Sequence, residues 1–197
     1  MLQEWIIRKE TSDDHDSIDA VITAASGEQE AVDVVRRLRR DGDALLSLVA
    51  EVHSRVIGHI MMSRMSIDTG ERELPAVALA PLMVDPAYQN RGVGTQLTQE
   101  ALRQCRDLAE SIVFVLGHPT YYPRFGFSAE IGERFQIPFK LTTPGAFMAL
   151  ELKPGATTEL GGKVKYARAF GLPAEWSMRR ERNGANSTGR FGLFQNF

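Results

Sequence analysis

Residues 75–127 read PAVALAPLMVDPAYQNRGVGTQLTQEALRQCRDLAESIVFVLGHPTYYPRFGF, and the order of the parts in this stretch decides the fold. Ala76 to Val84 is a continuous apolar run, too short to span a membrane and long enough for a strand buried on both faces. It ends at Asp85-Pro86, because proline cannot continue a hydrogen-bonded ladder. Gln89-Asn90-Arg91-Gly92-Val93-Gly94 follows. Its two glycines let the backbone curl tightly and turn successive amides outward where a helix begins, so the backbone itself makes an anion site.

The helix is predicted from Val93, Leu97, Ala101, Cys105 and Leu108, which recur at helical spacing with Leu102 widening the stripe. Gln96, Gln99, Glu100, Arg103 and Arg106 fill the opposite face, so the stripe packs on a sheet. Ser111 to Leu116 (SIVFVL) reads as a second buried strand. A strand, helix, strand unit of this length imposes a right-handed parallel crossover, which sets the anion site at the carboxyl end of the first strand. A short aromatic helix is expected at the end of the stretch.

Two common phosphate motifs fail on these residues. A Walker A loop needs Gly-Lys-Ser/Thr, and Gly94 is followed by Thr95-Gln96; a dinucleotide fingerprint needs a third glycine where Leu97 stands. What remains is Gln/Arg-x-x-Gly-x-Gly/Ala at residues 89–94, followed by Tyr-x-x-x-Gly-Phe at Tyr122-Pro123-Arg124-Phe125-Gly126-Phe127. This ordered pair resembles the GNAT superfamily of acetyl-CoA-dependent N-acetyltransferases. The wording LAPLMVDPAYQNRGVG and VLGHPTYYPRFGF is similar to its YhbS-like branch. The resemblance covers roughly residues 5–170. It implies a mixed α/β (α+β) fold: a mostly antiparallel, twisted sheet with a central parallel strand pair, flanked by helices.

Composition agrees with that scale. The chain has 197 residues, 43% hydrophobic and 24% charged, enough for one domain that buries a core without metals or disulfides. The single cysteine, Cys105, lies on the apolar stripe and reads as a buried structural thiol, which fits a reducing cytoplasm. A net charge of -2 gives no global pull toward nucleic acid or membrane. The cluster Arg36-Arg37-Leu38-Arg39-Arg40 reads as a solvated helix face, and MLQEWIIRKE lacks the pattern of a signal peptide.

Taken in order, Trp5 to Glu10 alternates as a strand, and Thr11 to Asp14 offers caps for a helix carrying Ile18, Val21 and Ile22 and ending near Gly27. Glu28 to Arg40 forms a second helix that stops at Asp41-Gly42. Leu45 to Glu51 and Val56 to Ile67 make a hairpin about His53-Ser54-Arg55, which leads through Asp68 to Glu71 into the central strand. After Phe127, strands are expected at Ala146 to Leu152 and Lys163 to Phe170. The chain is thus read as one domain over 1–172 with an extension over 173–197. Within that extension Phe191, Leu193, Phe194 and Phe197 follow a linker-like stretch. Docking of those aromatics on their own domain or on a second copy, giving a homodimer, is the expectation weighed against a free tail.

The resemblance also implies roles. Amides from Arg91 to Thr95, with Gln89, Asn90, Gly92, Val93 and Gly94, would hold the pyrophosphate of coenzyme A, assisted by the positive end of the helix. The strand edge at Leu82, Met83 and Val84 would bond the pantetheine arm, with Pro81 loosening the pairing there, and an N–H near Met83 or Val84 would polarise the thioester carbonyl. Tyr122 would protonate the departing thiolate. Phe125 would line the arm, and Tyr121 reads as packing or substrate contact. Acetyl-CoA is thus the expected donor and a small-molecule or peptide amine the acceptor, with no metal, nucleic acid or membrane partner. No base is assigned: His118, Asp85, Glu28 and Glu30 are candidates, and each also reads as a turn or helix-end residue. The rival reading is a coenzyme A sensor of the same fold without turnover.

Overall fold

The computed structural model describes residues 5–178. Eight strands among them form one sheet in the order β1-β2-β3-β4-β5-β7, with β8 pairing β3 and β6. The first four strands, Ile6–Lys9 (β1), Ala44–Val52 (β2), Arg55–Asp68 (β3) and Glu73–Val84 (β4), are an antiparallel meander. The β2–β3 hairpin turns on His53 (φ 46°) and Ser54 (φ 60°), the left-handed pair a tight hairpin with right-twisted strands requires. Helices α1 (His15–Ser26) and α2 (Gln29–Asp41) precede β2, each closed by a left-handed glycine, Gly27 (φ 70°) and Gly42 (φ 74°). Both helices pack on one face of the sheet through Ile18, Ile22, Val35 and Leu38 against Met61 and Phe114.

The opposite face belongs to α3 (Val93–Asp107), whose Val93, Leu97, Ala101, Leu102 and Cys105 lie against Leu48, Ile60, Met62 and Val113. Burial pushes the Cys105 thiol up to about 12, so it is an inert filler. Gly58 on β3 makes the close approach of the helix feasible: a β-carbon there would stand 3.0 Å from both Leu97 Cδ1 and Val93 Cγ1.

The parallel pair is short. β4 pairs with β5 (Ile112–Leu116) only at Val77↔Val113, Ala78↔Phe114 and Leu79↔Val115. Beyond Leu79 the two strands part, while antiparallel β7 (Phe147–Glu151) holds the opposite edge of β5 along its whole length. On its other side β4 slips register against β3 between Met62↔Leu79 and Ile60↔Leu82. Ala80 and Pro81, joined by a cis peptide, sit in that irregularity. A bulge beside a splayed parallel pair leaves an open edge on the last residues of β4.

Several expectations are corrected in detail. Leu108 is not on the buried stripe; α3 ends at Asp107, Ala109 takes φ 60°, and Leu108 is 51% exposed. The aromatic helix is a single 3-10 turn, Tyr122–Phe125. The strand expected through Phe170 stops at Tyr166 (β8, Gly162–Tyr166), and residues 168–170 form a 3-10 turn closed by Gly171. Two short elements, α4 (Ala129–Gly132) and β6 (Phe135–Gln136), were not anticipated. Past Leu172 the chain runs along β8, where Ser177 bridges Tyr166. The expectation for Phe191, Leu193, Phe194 and Phe197 lies outside the described residues. Among those described, no helix is long and apolar enough to cross a membrane.

Candidate active site

The glycine turn opens α3 as the sequence predicts. Asn90 (φ 59°) and Gly92 (φ 95°) are both left-handed, and Gly92 is the N-cap. The first bond of the helix runs from Gln96 N–H to Gly92 O at 3.0 Å, which leaves the amides of Val93, Gly94 and Thr95 without an intrahelical acceptor. These amides and the helix dipole make an anion cradle. Nothing fills the position of a β-carbon on Gly92 within 4 Å, so the cradle is open. Arg91 reaches back over the Tyr88 ring at 5.5 Å, and Arg55 from the β2–β3 hairpin stands 6.0 Å from the same centroid. Two guanidiniums thus flank the approach.

The edge of β4 meets this cradle. Asp85 N–H bonds Ile57 O at 2.9 Å, and the alternation of an antiparallel ladder then turns Met83 toward its β3 partner His59 and leaves the backbone groups of Leu82 and Val84 facing the splay. Of the amides anticipated for carbonyl polarisation, Val84 faces the opening and Met83 does not. Gln89 contributes through its side chain: its carboxamide donates to Val84 O at 3.0 Å, covering the carbonyl an incoming strand-like ligand would take.

Tyr122 stands on the far side of the splay. Its ring is 6% exposed and lies against Gly117 at the end of β5, where a β-carbon would come within 2.2 Å of Tyr122 Cε2. It meets Tyr121 edge-on at 5.0 Å and Phe127 at 5.7 Å. Burial, with a smaller push from Tyr121, holds its hydroxyl well above the usual phenol range, so it stays protonated at neutral pH. Together with Leu82, Met83 and Leu116, and with Tyr166 at the end of β8 and Phe170 after it, it lines a narrow cavity of about 50 Å³. Phe125 does not line this cavity and packs on Tyr121 at 5.4 Å. Leu116, Tyr166 and Phe170 on the wall, and Gly117 behind the Tyr122 ring, are residues the sequence reading did not single out.

Two of the candidate bases, Asp85 and Glu30, have their carboxylates in ion pairs, whereas for Glu28 and His118 the bonds are those of the backbone. Asp85 pairs with Arg55 at 2.6 Å and accepts from Ala87 N–H, Glu30 pairs with Arg37 at 2.6 Å, Glu28 N–H bonds Ser26 Oγ, and the carbonyl of exposed His118 caps Tyr121 N–H. The Arg36–Arg40 cluster is not simply a solvated face either: Arg37 donates to Ala169 O, and Arg39 grips Glu10 with two bonds of 2.9 and 2.7 Å. Among the described residues no group of histidines, cysteines and carboxylates could hold a metal ion.

Comparison with known proteins bears on this geometry. Residues 6–129 match the family described as acetyltransferase (GNAT) domain. The chain is 40% identical over 132 residues to the uncharacterized N-acetyltransferase YjhQ of Escherichia coli, covering 65% of this chain and 72% of that protein. It is 32% identical over 167 residues to the uncharacterized N-acetyltransferase YhbS of the same organism, covering 84% and 98%. A solved structure of E. coli YhbS in complex with CoA superposes with a TM-score of 0.79 at 30% identity, covering 87% of this chain and 96% of that one. A GNAT family acetyltransferase from Brucella melitensis in complex with acetyl-CoA gives 0.69 at 33% identity, covering 84% and 97%. With the turn before α3, the splay of β4 from β5 and the tyrosine after β5 all inside or abutting the matched span, the chain belongs to the GNAT acetyltransferase family and is an acyltransferase.

Proposed function

We propose that this protein moves an acetyl group from acetyl-CoA to a primary amine of a small molecule or peptide, the amine attacking the thioester directly. The observation that carries this is the slot left where β4 parts from β5 after Leu79, with free helix amides at its mouth and Tyr122 on its inner wall. The residues suit a coenzyme A thioester. The open cradle behind Gly92 matches a pyrophosphate, the backbone edge at Leu82 and at the Val84 amide matches an amide-bearing arm, and the two similar structures were solved with CoA and acetyl-CoA bound.

Each residue then has a definite task. Val93, Gly94 and Thr95 donate amides to phosphate oxygens, and Arg91 adds positive charge. Leu82 and Val84 extend backbone bonds to the arm, as an added strand would, and Val84 N–H faces the carbonyl that must become more negative as the amine attacks. Tyr122, kept protonated by burial, donates its proton to the sulfur as the carbon–sulfur bond breaks, the amine nitrogen sheds one proton to solvent as its bond to the acetyl carbon forms, and the phenolate regains a proton from solvent. The apolar wall of Leu116 and Phe170 excludes water that would hydrolyse the thioester. The test is a panel of amines incubated with acetyl-CoA and read by release of free thiol. Amine-dependent release that is lost in Tyr122→Phe is expected; tight acetyl-CoA binding with no transfer to any amine would favour a sensor instead.

A further inference from the structure

Tyr121 carries a buried hydroxyl with no hydrogen-bond partner. The oxygen lies at the start of α3: a β-carbon on Gly94 would stand 3.0 Å from Tyr121 Oη, 3.6 Å from Val84 Cγ2 and 3.8 Å from Leu82 Cδ2. It therefore occupies the passage between the free amides of α3 and the open edge of β4. A side chain at position 94 would crowd it.

The ring is held firmly. It packs edge-on against Tyr122 at 5.0 Å and against Phe125 at 5.4 Å. Arg124, anchored by a bond to Tyr121 O at 2.9 Å, covers its face at 4.7 Å. This packing accounts for an aromatic ring at position 121 and not for its oxygen, since phenylalanine would fill the same space without burying an unpaired donor. A phenol there is explained by an acceptor that arrives with a ligand.

We propose that Tyr121 is a donor-binding residue whose hydroxyl bonds an amide carbonyl of the pantetheine arm where that arm leaves the α3 amides. The proposal rests on the acyl-CoA reading above. The two adjacent tyrosines then divide the work: Tyr122 faces the sulfur, and Tyr121 grips the chain behind it. Leu82 and Val84, whose side chains border the same position over Gly94 as the hydroxyl does, are the residues along whose backbone edge the arm would run.

The test compares the parent protein with Tyr121→Phe by calorimetric titration of CoA and of adenosine 3′,5′-bisphosphate, which lacks the arm, together with melting temperatures without ligand. Tyr121→Phe should melt at the same temperature as the parent or higher, because it removes an unsatisfied buried hydroxyl. It should bind CoA about five- to tenfold more weakly, the size of one net hydrogen bond, and bind the bisphosphate as the parent does. Undiminished CoA affinity would overturn the proposal, as would an equal loss for both ligands, which would mean a disturbed phosphate cradle. A parent protein that binds no CoA would instead remove the functional reading on which the proposal stands.

Discussion

Gly117, directly after β5, has no side chain, and that absence sets the position of Tyr122. A methyl group at 117 would overlap the ring, with Cβ 2.2 Å from Cε2, and the ring cannot retreat easily because Tyr121 and Phe127 hold its other sides. Gly117→Ala should therefore lower turnover by displacing the hydroxyl while leaving CoA affinity near that of the parent. Tyr122→Phe should lower turnover by about 10²- to 10⁴-fold with little change in melting temperature, since it deletes one atom and no packing surface. Steady-state kinetics with acetyl-CoA and a competent amine check both; parent-like turnover in Gly117→Ala would mean that the ring's placement does not limit the chemistry. Tyr122 was legible in the sequence because Tyr-x-x-x-Gly-Phe is a local pattern. Gly117 was not, because the atom it must avoid comes from a turn that folds back on the strand end.

The element that carries the cradle, α3, is positioned by its contact with β3 at Gly58. Gly58→Val would drive two further carbons into Leu97 and Val93, which already define a 3.0 Å limit for the first. Overpacking of this kind costs about 1–3 kcal/mol, and here it pushes the amino end of α3 away from the sheet. The expected outcome is a lower melting temperature and a smaller rise on adding acetyl-CoA than in Leu102→Ala, which loosens the same helix farther from the cradle. Equal ligand shifts in the two variants would uncouple the cradle from the helix seat. The strand, turn, helix, strand order was readable because each period is local and the runs are long. The reading overshot at Leu108, where the spacing continues after the backbone has turned at Ala109, and at residues 167–170, where alternation persists through a 3-10 turn. The splay of β4 from β5 was only half legible: Pro81 signals loosened pairing, but no local pattern says that the parallel ladder stops at Leu79↔Val115.

Across the whole molecule, one buried polar network joins three strands and a helix on the α1/α2 face. Glu10, just after β1, accepts two bonds from Arg39 of α2 and one from Ser47 Oγ of β2 at 2.5 Å. Ser47 Oγ in turn lies 2.8 Å from Nε2 of His59 on β3, a side chain that is 0% exposed. Burial alone would raise the Glu10 carboxyl, but His59, Arg39 and Ser47 outweigh it and hold it well below the usual carboxylate range. Ionised Glu10 has no proton to give, so Ser47 donates to it and His59 donates to Ser47 from Nε2, leaving Nδ1 bare and unpaired. Burial lowers the His59 imidazole below its ordinary 6.5, against the pull of Glu10 and Asp19 and with the help of Arg39. The sign follows from linkage. The unfolded chain takes up a proton at His59 below pH 6.5 while the folded protein resists it, so the stability tied to this group is complete above 6.5 and is lost as pH falls from there. Glu10 behaves the same way from its ordinary 4.5 downward. Urea unfolding at a series of pH values should therefore show stability declining between about pH 6.5 and pH 5, by up to about 1.4 kcal/mol per unit for this one imidazole, and a steeper decline below the carboxylate range. His59→Gln keeps a side-chain donor for Ser47 and removes the titration, so it should flatten the upper limb and leave the lower one. If the slope between pH 6.5 and pH 5 is the same in that variant, the imidazole is not its source, and the network holds the strands together without setting how the fold responds to acid.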